Sequence, residues 1–215
     1  MKYTASLVQL HIDERIKAKR ADALSRGIPV ADDETLNFLL LTLAAVKPVR
    51  ILEIGTAVGL SSVAMLYACE NARLTTIELE EERYVEAKAN FVEFGVAERV
   101  TAYLGDAGEI LAMMDGQYDF VFLDGPKAQY EKYLFDLKRL MKKGGVLFAD
   151  DVLLYGWVNG AEPTPQKRHS IVDKIRSYLK TVTSDKEWIT SVLDIGDGVA
   201  LSVYTGKVEK ETKEE

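Results

Sequence analysis

Residues 50–59 read Arg-Ile-Leu-Glu-Ile-Gly-Thr-Ala-Val-Gly, and the chain continues as LSSVAMLYACE to Glu70. Ile51 to Ile54 belong to a short run rich in apolar residues, the pattern of a strand covered on both faces. Gly55 and Gly59 allow a tight turn and a close approach of backbone, and the segment after them has the length of a helix. Strand, glycine turn and helix together make the opening unit of a parallel sheet. The unit recurs downstream. RLTTIEL (73–79) precedes a helix from about Glu81 to Phe94, closed by Gly95; RVTAYL (99–104) precedes a short helix from Ala107 to Met114. YDFVFLD (118–124) precedes a helix from about Lys127 to Met141, and VLFAD (146–150) follows a turn at Gly144-Gly145. This alternation predicts an α/β, Rossmann-like fold, a mostly parallel sheet with helices on both faces.

Working outward, the first 26 residues place Leu7, Leu10, Glu14 and Lys17 at helical spacing, with Gly27 and Pro29 as a stop. A second helix over the apolar run Leu36 to Val46, capped by Asp32 or Asp33, completes an N-terminal helical cap of residues 1–47. On the other side, a helix from about Gln166 to Thr181 leads into WITSVLDI (188–195) and VALSVYT (199–205). Gly196-Asp197-Gly198 is too short for a crossover, so these two runs form a hairpin and one strand near the end of a seven-stranded sheet is antiparallel. One domain is expected over 1–206, with the charged run KVEKETKEE (207–215) as a disordered tail.

A length of 215 residues with 47% hydrophobic and 28% charged residues fits one soluble domain. The single cysteine, Cys69, excludes an intramolecular disulfide and a multi-cysteine metal cluster, and fits a reducing compartment. No apolar run approaches the ~18 residues of a membrane span, and the start lacks a signal-peptide core, so the expected location is cytoplasmic. A net charge of −7 counts against broad binding to nucleic acid, although a local basic patch could still hold an RNA.

In an open parallel sheet ligands bind at the carboxyl ends of the strands, so the residues there carry the functional reading. The G-x-x-x-G spacing of Gly55 and Gly59 departs from the G-x-G-x-x-G of dinucleotide enzymes. Glu78, ending the second strand, can take both hydroxyls of a ribose, and Asp106 in Gly105-Asp106-Ala107 can accept from an adenine amino group. Each acid alone also reads as a helix cap or a solvated residue; together they occupy successive strand ends of one crevice. Asp124 ends the fourth strand and Asp150 and Asp151 end the fifth. Three carboxylates on neighbouring strands make a hard, oxygen-rich set that suits Mg²⁺ or a similar ion, the alternative being that Asp150 and Asp151 merely open a loop. The histidines, His11 and His169, lie outside these motifs. Lys127 follows Asp124 by one helical turn, and a lysine beside a dication can have a lowered pKa and act as a base.

This combination resembles the class I methyltransferase fold and its S-adenosylmethionine site. The resemblance implies that the methionine moiety lies beside Gly55, Gly59 and Asp124 with its carboxylate near Ser61. It puts the ribose on Glu78 and the adenine near Asp106 and Ala107, with the backbone of Ala31 closing over the cofactor. The D-x-x-K-x-x-Y run (Asp124, Lys127, Tyr130), the acidic pair and Gly196-Asp197-Gly198 are similar to the catechol and caffeoyl-CoA O-methyltransferase group. Among its small bacterial members the resemblance extends furthest to tRNA 5-hydroxyuridine methyltransferases, which usually carry Asp-Asn where this chain has Asp150-Asp151. It implies a divalent ion on Asp124, Asp150 and Asp151, with Asp124 and Lys127 catalytic, and a homodimer through the N-terminal helices. The acceptor would be 5-hydroxyuridine in a tRNA anticodon or a small catechol, both of which offer vicinal oxygens. For an RNA, Tyr155, Trp157, Lys167, Arg168, His169 and Arg176 could stack a base and hold phosphates, or simply form a solvated helix start. A nicotinamide-dependent oxidoreductase and a non-catalytic SAM- or nucleotide-binding module are the rival readings.

Overall fold

The computed structural model describes residue 3 and residues 5–206; the charged run 207–215, expected to be a disordered tail, lies outside them. Seven strands, β1 (Arg50–Ile54), β2 (Arg73–Glu78), β3 (Val100–Leu104), β4 (Tyr118–Leu123), β5 (Met141–Ala149), β6 (Trp188–Leu193) and β7 (Val199–Tyr204), form one sheet. Their order is β3-β2-β1-β4-β5-β7-β6. The first five run parallel, and β7 is antiparallel to both of its neighbours, the expected single reversal near the end. Between β1 and β4 the chain changes direction across the sheet, which is the switch point where such folds open a crevice.

Helices cover both faces: α1 (Glu14–Ser25), α2 (Asp33–Val46), α3 (Leu60–Ala68), α4 (Glu81–Glu93), α5 (Ala107–Met113), α6 (Tyr130–Leu140) and α7 (His169–Ser184). One core lies between the sheet and α2, α3 and α4, the other between the sheet and α5, α6 and α7. Asp32 caps α2 by accepting from the Thr35 amide, and Asp33 is the first helical residue.

Four boundaries differ from expectation. The first helix begins only at Glu14, because Asp13 caps it by accepting from the Arg15 amide, and Leu10 and Ile12 before it pack on the core. Gly144-Gly145 lies inside β5 rather than before it, where the pairing with β4 slips between Tyr118 and Phe120 and a Gly145 side chain would crowd the Lys142 and Tyr118 carbonyls. Lys127–Gln129 is a single 3₁₀ turn and α6 starts at Tyr130; Gln166–Arg168 likewise precedes α7.

Phe148 is fully buried with Phe38, Phe120 and Phe122 around it at ring-centroid distances of 5.6, 6.5 and 5.7 Å. Phe148→Ala removes a ring shared by two strands and α2, and should cost about 3–5 kcal/mol in urea unfolding. A loss below about 1 kcal/mol would show that the cluster collapses into the gap.

Candidate active site

The register of the parallel strands builds the site. Ile54 of β1 stands level with Ile77 of β2 and Leu123 of β4, and Leu123 stands level with Ala149 of β5. Four strands therefore end on one line, and the next residues, Gly55, Glu78, Asp124 and Asp150, form a common rim. Gly55 has φ +97°, and a side chain there would run into the Asp124 carbonyl, so the β1 turn can lie against the end of β4 only as glycine.

A cavity of about 650 Å³ opens above this rim, in the range of small-molecule and cofactor sites. Of the predicted residues Ala31, Gly55, Glu78, Asp106, Ala107, Asp124, Lys127, Asp150 and Asp151 all line it. Gly59 and Ser61 do not. Gly59 faces α4, where Phe91 and Ala87 leave no room for a side chain, so its role is helix packing. The Ser61 hydroxyl donates to Glu53 Oε1 at 2.6 Å, turned into the protein.

Glu78 is buried and accepts from three amides: Ala57 at 2.7 Å, Leu79 at 2.9 Å and Glu80 at 2.9 Å. One carboxylate thus ties the glycine turn of β1 to the end of β2. Asp106 caps α5 through the Gly108 and Glu109 amides while its carboxylate borders the cavity. Ala31 is held over the cavity by Arg20, a buried arginine of α1 that donates to the Ala31 carbonyl at 2.8 Å and to Asp33 at 2.7 Å. Sequence reading passed over Arg20, since nothing in a helical charge pattern marks a residue whose partner lies beyond a glycine stop.

The cavity wall carries eight carboxylates against two basic groups, Arg83 and Lys127, which favours a cationic occupant over a phosphate-rich one. Lys127 Nζ donates to Asp124 Oδ1 at 2.6 Å and lies 3.0 Å from Asp151 Oδ2. Burial acts to lower its pKa, but Asp124, Tyr130, Asp151 and Asp150 outweigh burial and raise it well above the ordinary lysine value. As it stands Lys127 is a firmly held ammonium rather than a base. Burial and the Asp151 charge raise Asp124 despite Lys127, and burial with Asp124 and Asp151 raises Asp150 strongly. Tyr130 completes the motif from behind, its hydroxyl donating to the Leu123 carbonyl at 2.9 Å and reaching the Asp150 carbonyl at 3.2 Å.

Asp32, Glu80 and Asp197 are further acids on the cavity wall, and Glu53 lies buried outside it. Asp197, in the turn between β6 and β7, lines the cavity, and burial pushes its carboxyl up to about 6. Its place in a hairpin loop far along the chain gives no sequence signal beyond the Gly196-Asp197-Gly198 run. Glu53, inside β1, is fully buried and accepts from the hydroxyls of Ser61, Ser62 and Thr76. Its occurrence among apolar strand residues was the available signal. Of the aromatic and basic stretch, Tyr155 reaches the cavity wall, whereas Arg176 is spent on the Val158 and Trp157 carbonyls at 3.0 and 3.2 Å. Lys167, Arg168 and His169 are exposed and do not line the cavity.

A glycine turn, an acid at the second strand and an acid-lined crevice at the switch point define a nucleoside-binding α/β enzyme. Residues 8–204 match the O-methyltransferase family, and the chain belongs to it. A caffeoyl-CoA O-methyltransferase of Populus kitakamiensis is 29% identical over 191 residues, 85% of this chain and 80% of that protein. The O-methyltransferase TomG from Streptomyces achromogenes, solved in complex with SAM, has a TM-score of 0.80 at 27% identity and 95% coverage of each chain. An O-methyltransferase from Bacillus cereus in complex with SAH has a TM-score of 0.78 at 21% identity, covering 94% of this chain and 95% of that one, a likeness of fold. The protein is a SAM-dependent O-methyltransferase of the caffeoyl-CoA type, which sets aside the nicotinamide reading. No helix among the described residues is long and apolar enough to cross a membrane.

Burial pushes the Glu53 carboxyl from 4.5 up to about 7, against the three hydroxyls that favour its anion. Between those values the folded chain holds a proton that the unfolded chain has released, so this group's contribution to stability falls as pH rises through the window. A displacement from 4.5 to about 7 corresponds to on the order of 3 kcal/mol. Relative to the parent, Glu53→Gln should gain stability between about pH 5 and about pH 8 in urea unfolding. A constant difference across that range would place the titration elsewhere.

Proposed function

We propose that the enzyme methylates a hydroxyl with an oxygen on the adjacent carbon, that a divalent ion held by Asp124, Asp150 and Asp151 assists, and that the acceptor is a small catechol-like aromatic. The acidic cavity carries this reading. Its donors are all hard oxygens, and the Lys127 ammonium is paired with both Asp124 and Asp151, which supports the affinity of these carboxylates for positive charge. Among the described residues no three such side chains are gathered closely enough to hold an ion as they stand, so loading requires these carboxylates to turn.

SAM supplies a methyl group on a positively charged sulfur, a charge that disappears in the displacement, so no oxyanion hole is required. A divalent ion supplies Lewis acidity that lowers the pKa of a neighbouring hydroxyl. The chain's own residues do the positioning on which an in-line transfer depends. Glu78 meets the ribose while fixing the Ala57 turn, and Asp106 and Ala107 border the adenine. Leu24, Pro29, Val30 and Ala31 cover the cofactor's open side and exclude water. Lys127, the one amino group on the wall, would act as the base only after its ion pairs with Asp124 and Asp151 weaken and it releases its own proton to solvent. As the neutral amine it then takes the hydroxyl proton while the acceptor oxygen displaces the methyl group from sulfur.

The same vicinal pattern occurs in 5-hydroxyuridine, and tRNA is the competing acceptor. The commitment of Arg176 to backbone carbonyls and the acidic wall favour the small molecule. Exposed Leu41 on α2 supports the homodimer that the sequence resemblance implies.

Metal-stripped enzyme in EDTA should lose catechol methylation and recover it with Mg²⁺, and Asp150→Ala should abolish turnover while SAM still binds in calorimetry. Efficient methylation of tRNA bearing 5-hydroxyuridine, with none of catechol, would move the acceptor to RNA; full activity in EDTA would remove the metal. Glu78→Ala should weaken SAM binding by about 2 kcal/mol or more, through the lost charge-assisted hydrogen bonds.

A further inference from the structure

The turn after β5 carries an unusual backbone. Leu154 and Tyr155 have φ +47° and +58°, consecutive left-handed conformations that non-glycine residues seldom adopt. Burial explains the first, since Leu154 packs in the core. It does not explain the second, because the Tyr155 side chain is 69% exposed and stands on the cavity wall. The Trp157 ring backs it at 5.0 Å between centroids, tilted by 54°.

The turn is anchored at both ends. Arg176 holds the Val158 and Trp157 carbonyls, and the Val158 amide donates to the Leu153 carbonyl at 3.1 Å. From the other side, the Leu153 amide donates to the Asp197 carbonyl and the Val152 amide to the Gly198 carbonyl, each at 2.9 Å. Gly198 presses so closely on Leu153 that no side chain would fit. The Tyr155 amide donates to Asp197 Oδ1, so a single side-chain oxygen meets the strained residue itself.

We infer that Asp197 is a positioning residue for the acceptor: by holding the Tyr155 amide it fixes the Tyr155 ring as the face against which a planar aromatic or heteroaromatic acceptor stacks. This rests on the acceptor chemistry proposed above. An exposed ring on strained backbone beside the cavity contributes little to folding and gains its value from a ligand. Asp197 then sets the acceptor KM through its hydrogen bond to Tyr155; its charge also faces Asp151, Asp32 and Lys127, so the charge and the hydrogen bond have to be separated.

The test compares Asp197→Asn, which keeps the accepting oxygen and drops the charge, with Asp197→Ala, which loses both. With catechol as acceptor, Asp197→Ala should raise KM by about tenfold while kcat and SAM affinity stay within about threefold, and Asp197→Asn should restore KM. Tyr155→Ala should raise KM similarly, and adding Asp197→Ala to it should change little. Hydrogen exchange at the Tyr155 amide should accelerate in Asp197→Ala and not in Asp197→Asn. Equal damage from both substitutions, a fall in kcat at constant KM, or a parallel loss of SAM affinity would overturn the inference. So would unchanged exchange at Tyr155, a reading independent of turnover: if catechol is not methylated, the acceptor proposal fails while the role of Asp197 in holding Tyr155 is still decided.

Discussion

Parallel strands that stop level with one another impose the chemistry of this protein. Because Ile54, Ile77, Leu123 and Ala149 share one line across β2, β1, β4 and β5, the residue that follows or ends each strand is delivered to the same place. Side-chain period leaves little freedom here: slipping one strand by a residue would turn its apolar positions out of the two cores and carry its acid off the rim. The glycine at position 55 follows from the same constraint, since the β1 turn must lie against the Asp124 carbonyl.

Level strand ends also create an electrostatic difficulty. Asp124, Asp150 and Asp151 lie at the edge of a low-dielectric interior, where Asp151 makes ionisation of Asp124 harder and Asp124 and Asp151 make that of Asp150 harder. Lys127 offsets part of that repulsion from one turn away, and the remaining excess of negative charge makes the crevice receptive to cations. A sulfonium cofactor and a divalent ion are both occupants of that kind, so one property of the rim serves both steps of the proposed reaction.

The architecture was legible because buried parallel strands read as short apolar runs and the intervening glycines mark where each one ends. The rim acids were legible for the same reason, each being adjacent in sequence to a strand. Gly59 and Ser61 lie off the cavity wall because they belong to the next turn. There, facing depends on how α3 settles on Phe91 and on where the Glu53 carboxylate draws a hydroxyl, and both are tertiary facts. Arg20 and Asp197 were missed because they act across long stretches of chain, Arg20 on the Ala31 carbonyl and Asp197 on the Tyr155 amide. The break before Glu14 had a visible cap in Asp13, but the periodicity of Leu7 and Leu10 masked it.

Asp151 shows how backbone and charge are decided separately at one position. Its φ of +55° lies where Asp and Asn are among the few non-glycine residues tolerated, so the backbone accepts aspartate here as readily as asparagine. The two differ in what they do to Lys127. As a carboxylate, Asp151 stands 3.0 Å from the lysine and gives it a second ion pair beside Asp124. An asparagine would leave Asp124 as the only charge in direct contact, and the ammonium would be easier to discharge. This chain therefore holds Lys127 more tightly and keeps its crevice more negative than an asparagine at this position would, so in the proposed mechanism an incoming cation has to compete with Lys127 for the same oxygens.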